Sequence, residues 1–297
     1  MSSMKRGVAL SVMSSCLFAA IYYYATILDP LSGEQIFAWR VVLALPALAL
    51  MISRARGWGE VREVQVRLRR EARLGLLLLA SAGLIGVQLW LFVWAPLHGR
   101  ALDVSMGYFL LPLAMVVVGR VYYKERLSGV QTMAVVVAAL GVTHELFRVG
   151  TFSWATAMVV FGYPPYFMLR RYLRIGSLGT LWFDMLLIAP AAVFILYSQE
   201  INVLTQFSQA PRLLWLVPIL GLISSVALIS YMSASRMLPL GLFGLLGYVE
   251  PVLLFWVAYL VLGEPVAASA WLTYIPIWIA VLLIAGEGAR KWLREGR

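Results

Sequence analysis

Apolar residues run through this chain in stretches of about 20, separated by short polar or arginine-bearing segments, and that spacing predicts ten membrane-crossing helices. The expected spans are 7–28, 32–53, 74–95, 101–122, 127–146, 153–171, 178–197, 212–234, 239–262 and 267–287. An α-helix needs about 20 residues to cross roughly 30 Å of hydrocarbon, whereas a barrel strand is shorter and alternates apolar with polar positions. The pattern therefore predicts an all-α integral membrane protein. Ten such spans take up most of the 297 positions, so no soluble domain of useful size is left over.

The polar interruptions recur. Gly107-Tyr108-Phe109-Leu110-Leu111-Pro112 is echoed by Gly247-Tyr248-Val249-Glu250-Pro251, and a glutamate follows each proline thirteen residues on, Glu125 and Glu264. Arg40 precedes Pro46 by six residues, as Asp184 precedes Pro190. The chain thus reads as two five-helix repeats, residues 1–150 and 151–297. Five is odd, so the second copy starts on the opposite side of the membrane. The result is an inverted repeat around a central cavity, an arrangement typical of secondary transporters.

Composition agrees: 62% of residues are hydrophobic, 13% are charged, and the mean hydropathy is +0.86. Charge then sets orientation. Twenty Lys and Arg fall at one set of helix ends, including Lys5, Arg54 to Arg73, Arg120 to Arg126, Arg170, Arg171, Arg174 and Arg236. The opposite ends hold Arg100, Arg148 and Arg212. This asymmetry places both termini in the cytoplasm. The net charge of +10 is accounted for by orientation and by anionic lipid headgroups, so no nucleic-acid partner is expected. Lys5-Arg6 ahead of an apolar run resembles a signal peptide, but the run is long and the repeat needs it as a span. Cys16, the single cysteine, reads as a small core residue. Residues 54–73 interleave Val61, Val64, Val66 and Leu68 with arginines, which fits either an amphipathic surface helix held by acidic lipid or a solvated connector.

With these residues in view, the chain resembles the drug/metabolite transporter superfamily, and within it the EamA-type ten-helix exporters. Gly263-Glu264 matches that family's glycine-glutamate closing motif, while Lys124-Glu125 departs from it in the first half. Size, topology and aromatic content are most similar to aromatic amino-acid exporters of the YddG type. The resemblance implies that spans 1–4 and 6–9 surround the cavity, that spans 5 and 10 lie outside it, and that the direction of transport is export.

Ionisable groups deep in a bilayer are costly, so each is a functional candidate. Glu250 lies near the middle of the ninth span beside Pro251, where a broken helix can hold a substrate ammonium or a proton. Arg40 and Asp184 occupy matching repeat positions at different depths, ~8 Å apart along the membrane normal. Arg40 is suited to a carboxylate. Tyr108, Tyr163 and Tyr248 offer aromatic faces to a flat or cationic substrate, and Gln88 is an amide that needs partners in hydrocarbon. Pro112, Pro164, Pro165 and Pro251 are expected helix breaks or hinges.

Other chemistries lack their residues. No phosphate-cradling Gly-x-x-x-x-Gly-Lys-Ser/Thr occurs, so the chain carries no ATP-driven pump motif. His144-Glu145 lacks the second histidine of a zinc site, His98 stands alone, and no Gly-x-Ser-x-Gly is present. No cofactor, metal or enzymatic activity is expected. The expected partners are a lipid bilayer and a small-molecule substrate, an amino acid first and an aromatic cation second, handled by a monomer. The 21 arginines against 3 lysines suggest a bacterial host, hence a multi-pass protein of the inner membrane.

Overall fold

A computed structural model of the protein describes residues 3–97, 100–150, 152–198, 203–261 and 268–295. No strand occurs among them. The helices in chain order are α1 (Ser3–Thr26), α2 (Gly33–Arg54), α3 (Trp58–Arg70), α4 (Ala72–Leu97), α5 (Ala101–Val121), α6 (Gly129–Val149) and α7 (Trp154–Leu173). They continue with α8 (Ser177–Ser198), α9 (Val203–Gln209), α10 (Leu213–Met237), α11 (Leu240–Leu246), α12 (Val249–Trp256) and α13 (Trp271–Glu295). A π-helical turn, Val257–Val261, extends α12, and a 3-10 turn, Ala268–Ala270, leads into α13. Eight of these helices, α1, α2, α4, α5, α6, α8, α10 and α13, are long and apolar enough to cross a membrane, and the chain is a multi-pass membrane protein. The other two expected spans fall on α7 and on the interrupted segment 240–261. Glu264, Gly263 and His98 lie outside the described residues.

Local sequence sets the helix ends. Ser32 caps α2 and Ser128 caps α6, each in a reciprocal box with a glutamine three residues on, Gln35 and Gln131. Gly150 takes the left-handed conformation that closes α6. α3 settles the alternatives for the arginine-rich segment. It is an amphipathic helix, but its apolar face, Val61 and Val64, is buried against the bundle beside α8 and α4 rather than in lipid. Cys16 is exposed on α1 and is not a core residue, because α1 turns its small side chains Gly7, Ser11 and Ser14 inward instead.

The prolines behave differently from one another. α5 runs through Pro112 and α7 through Pro164 and Pro165 without interruption, so the expected breaks there are absent. Each proline removes one hydrogen bond, and packing against neighbouring helices sustains the rest of the ladder. The break comes instead at Gly247-Tyr248, between α11 and α12. Pro251 then stands in the first turn of α12, where its missing N–H is not needed.

α1 packs on α10 and α12, α2 on α8 and α10, α4 on α7 and α8, and α5 on α7 and α11. α6 and α13 pair mainly with each other. Their seam carries a polar chain in which His144 Nδ1 lies 3.0 Å from Thr273 Oγ1, Thr273 donates to Glu145 at 2.6 Å, and Glu145 pairs with Arg148. α5 and α11 approach through glycine: a Cβ added at Gly119 would lie 2.8 Å from the Gly241 nitrogen.

That crossing is pinned by Glu125. Its carboxylate accepts from the backbone N–H of Leu240 at 2.6 Å and of Gly241 at 2.8 Å, capping α11 from the far half of the chain. Arg171 pairs with the same carboxylate at 3.2 Å and donates to the Leu238 carbonyl at 2.7 Å. Lys124 reaches this turn with φ 54°, the left-handed conformation that costs a residue with a Cβ and that glycine adopts freely. We therefore expect Lys124→Gly to raise stability by ~1 kcal/mol. Glu125→Ala should lower it by ~2 kcal/mol, through lost caps and an unpaired arginine. Denaturant unfolding of the purified protein in mixed micelles checks both signs.

Candidate functional site

The interruption before α12 puts Glu250 in that helix's first turn, at the end of the helix dipole that favours a negative charge. Its side chain is half-buried, yet it makes no hydrogen bond or ion pair among the described residues. Arg40 on α2 lies within electrostatic reach of it, also half-buried, and its Nε donates to Ser224 of α10 at 3.1 Å. Tyr108 of α5, Tyr163 of α7 and Tyr231 of α10 stand in the same field. The Tyr108 and Tyr163 hydroxyls are 3.4 Å apart. Tyr163 stacks on Phe167 with ring centroids 6.2 Å apart, and Tyr231 packs against Phe243 at 4.9 Å. Five elements thus bring one charged or phenolic group each within electrostatic reach of Glu250 or its neighbours. A carboxylate and a guanidinium that face each other without pairing can hold the two ends of a zwitterion, and the phenol rings supply flat faces beside them.

A second polar cluster is closed. Arg170 of α7 and Asp184 of α8 form an ion pair at 2.8 Å, with side chains 2% and 0% exposed. Tyr166 donates to Asp184 at 2.9 Å, Ser81 of α4 donates to its other oxygen at 2.9 Å, and Arg170 donates to the Tyr166 hydroxyl at 3.1 Å. Both carboxylate oxygens are occupied, so this cluster joins α4, α7 and α8 and is closed to solvent.

No protein-family model matches the chain. It is similar to the chloramphenicol-sensitive protein RarD of Pseudomonas aeruginosa, 45% identical over 98% of this chain and 97% of that one. The chain belongs to the RarD family. An uncharacterized transporter of Pasteurella multocida is 38% identical over 98% and 99% of the two chains, and one of Haemophilus influenzae is 36% identical over 97% and 96%. These names support a transporter role and fit the drug/metabolite type. A solved crystal structure of a protein matches with a TM-score of 0.68 at 14% identity, over 94% of this chain and 96% of that chain, and shares the fold.

In this RarD-family chain the structure brings Glu250, Arg40, Tyr108 and Tyr163 together. It places Asp184 with Arg170 instead. Tyr248 is fully buried and its hydroxyl donates to the Phe109 carbonyl at 3.0 Å, tying the break to α5. Gln88 is 1% exposed and donates to the Met158 carbonyl at 2.9 Å, filling the space beside Gly162 of α7, while its Oε1 has no partner among the described residues. Gln88 therefore joins α4 to α7.

Tyr231 and Ser224 read from sequence as polar hints in an apolar helix, where packing is the default, and are not among the candidate site residues. Arg170 looked like one more charge at a helix end. Its spacing from Tyr166, four residues on one helix face, was the available signal. Removing one partner of a buried pair strands the other charge. Arg170→Ala is accordingly expected to cost ~3–5 kcal/mol, and the apolar double replacement Arg170→Met with Asp184→Leu to recover much of it. Thermal unfolding of the three purified proteins tests this order.

Proposed function

We propose that this protein exports amino acids, aromatic or other neutral ones, across the bacterial inner membrane as an EamA-type secondary transporter, most like the YddG type. The observation that carries the reading is Glu250, an unpaired carboxylate at a helix start, with Arg40, Tyr108, Tyr163 and Tyr231 within electrostatic reach around it. Glu250 binds the substrate ammonium, Arg40 its carboxylate, and the tyrosines its side chain. Asp184, Gln88 and Tyr248 brace the helices that carry these residues.

The transport cycle is alternating access by two inverted five-helix halves, 1–150 and 151–297, with α7 and the 240–261 segment as the remaining spans and both termini in the cytoplasm. The packing supports this reading. Exchanging each span for its counterpart five spans away turns α1 on α10 into α7 on α4, α5 on α7 into α12 on α1, and α2 on α10 into α8 on α4. The pairs α2 with α8, α5 with α11 and α6 with α13 map onto themselves. The working unit proposed is a monomer, and no enzymatic step is assigned to it.

A second reading is export of aromatic or amphipathic cations, favoured by the hydrogen bond that ties Arg40 to Ser224 and leaves Glu250 as the sole uncommitted charge among the described members of the site. Uptake of labelled phenylalanine and of an aromatic cation into liposomes holding the purified protein, with and without a pH gradient, separates the two. Saturable phenylalanine flux competed by other neutral amino acids is the expected result. Flux of the cation alone would transfer the site to the second reading. Because the Pseudomonas relative's name refers to chloramphenicol, that compound belongs among the competitors. Losing a charge-assisted hydrogen bond costs about 1.5–3 kcal/mol, so Glu250→Gln should cut flux by about 10- to 100-fold with folding intact. Undiminished flux in that variant removes Glu250 from the mechanism.

A further inference from the structure

Away from the central space, a cavity of about 500 Å³ opens between the ends of α3, α4, α5 and α7. Four guanidinium groups line it, those of Arg67, Arg73, Arg171 and Arg174, against one carboxylate, Glu71. Two of the four are committed. Arg171 is held by Glu125 and lies over the Tyr123 ring at 4.9 Å, and Arg67 donates to the Leu173 carbonyl at 3.4 Å. Arg73 and Arg174 are exposed and make no hydrogen bond or ion pair among the described residues. Arg174 also sits at φ 52°, where a residue with a Cβ is strained, so its position at the rim is held at a cost.

We infer that this cavity is a binding site for a phosphate ester, the headgroup of an anionic phospholipid. Guanidinium groups match phosphate oxygens in shape and charge, and two unpaired ones beside two fixed ones make a preorganised anion cradle. The lipid source is favoured by what surrounds the cavity. Leu74 and Leu77 form part of its wall, and the same ends of α4 and α5 carry Leu76 at 69% and Val121 at 73% exposure, an apolar surface along which acyl chains continue. Basic pockets between transmembrane helices suit this role, and the inference is independent of which substrate the central site carries.

The test is native mass spectrometry of the full-length protein in detergent, offered phosphatidylglycerol, phosphatidylethanolamine, glycerol phosphate or inorganic phosphate at equal concentration. Phosphatidylglycerol should be retained about tenfold more than phosphatidylethanolamine, and the double variant Arg73→Ala with Arg174→Ala should lose most of that preference. Arg62→Ala with Arg69→Ala, which removes two exposed cations of α3 outside the cavity, should retain it. Arg174→Gly gives a second variant in which the charge is lost while the backbone strain is relieved, so weaker lipid retention there cannot come from misfolding. Equal loss in both double variants would reduce the effect to diffuse surface charge and overturn the site. Glycerol phosphate or inorganic phosphate bound through Arg73 and Arg174 with no phosphatidylglycerol preference would assign the cavity to a soluble phosphate compound and overturn the lipid.

Discussion

Hydrocarbon offers no hydrogen-bond partners, so every polar side chain inside this bundle has to be satisfied by another part of the protein. Most are. Asp184 is enclosed by Arg170, Tyr166 and Ser81; Glu125 by Arg171 and two backbone N–H groups; Glu145 by Arg148 and Thr273. Each of these clusters joins helices that are distant in sequence, and each removes its charges from further chemistry. Against that background Glu250 stands apart, with Arg40 near it but not paired to it. Satisfied polar groups hold the bundle in place, and an unpaired carboxylate is where a ligand gains most.

The break at Gly247-Tyr248 makes this arrangement affordable. An unbroken helix would place Glu250 in mid-span, away from any helix end. Ending α11 and starting α12 places the carboxylate at the positive end of a new helix dipole, while the Tyr248 hydroxyl anchors the interruption on α5. Pro112 and Pro164-Pro165 produce no such opening, because their helices are held on several sides: α5 by α7 and α11, α7 by α4 and α5.

The arginine-rich end has two kinds of cation. Some, such as Arg171, are structural and fix the start of α11 and the close crossing at Gly119 and Gly241. Others, Arg73 and Arg174, line a cavity and leave positive charge available to an anion. Orientation in the membrane depends on their sum, whereas binding depends on which of them are free.

Much of the helical layout was legible in the sequence because it follows from one-dimensional quantities: run length against membrane thickness, and a proline, a glycine and a glutamate at fixed distances. Arg40 and Glu250 were legible for the same reason, since a charge in an apolar run is anomalous wherever it points. What tertiary structure decided was pairing. Whether Asp184 faced a substrate or Arg170, whether Gln88 bonded a ligand or the Met158 carbonyl, and whether Tyr248 lined a pathway or held α5 all depended on which residue from a distant segment stood opposite. The sequence determined which residues needed a partner in a medium without water; three-dimensional packing alone determined which of them found one.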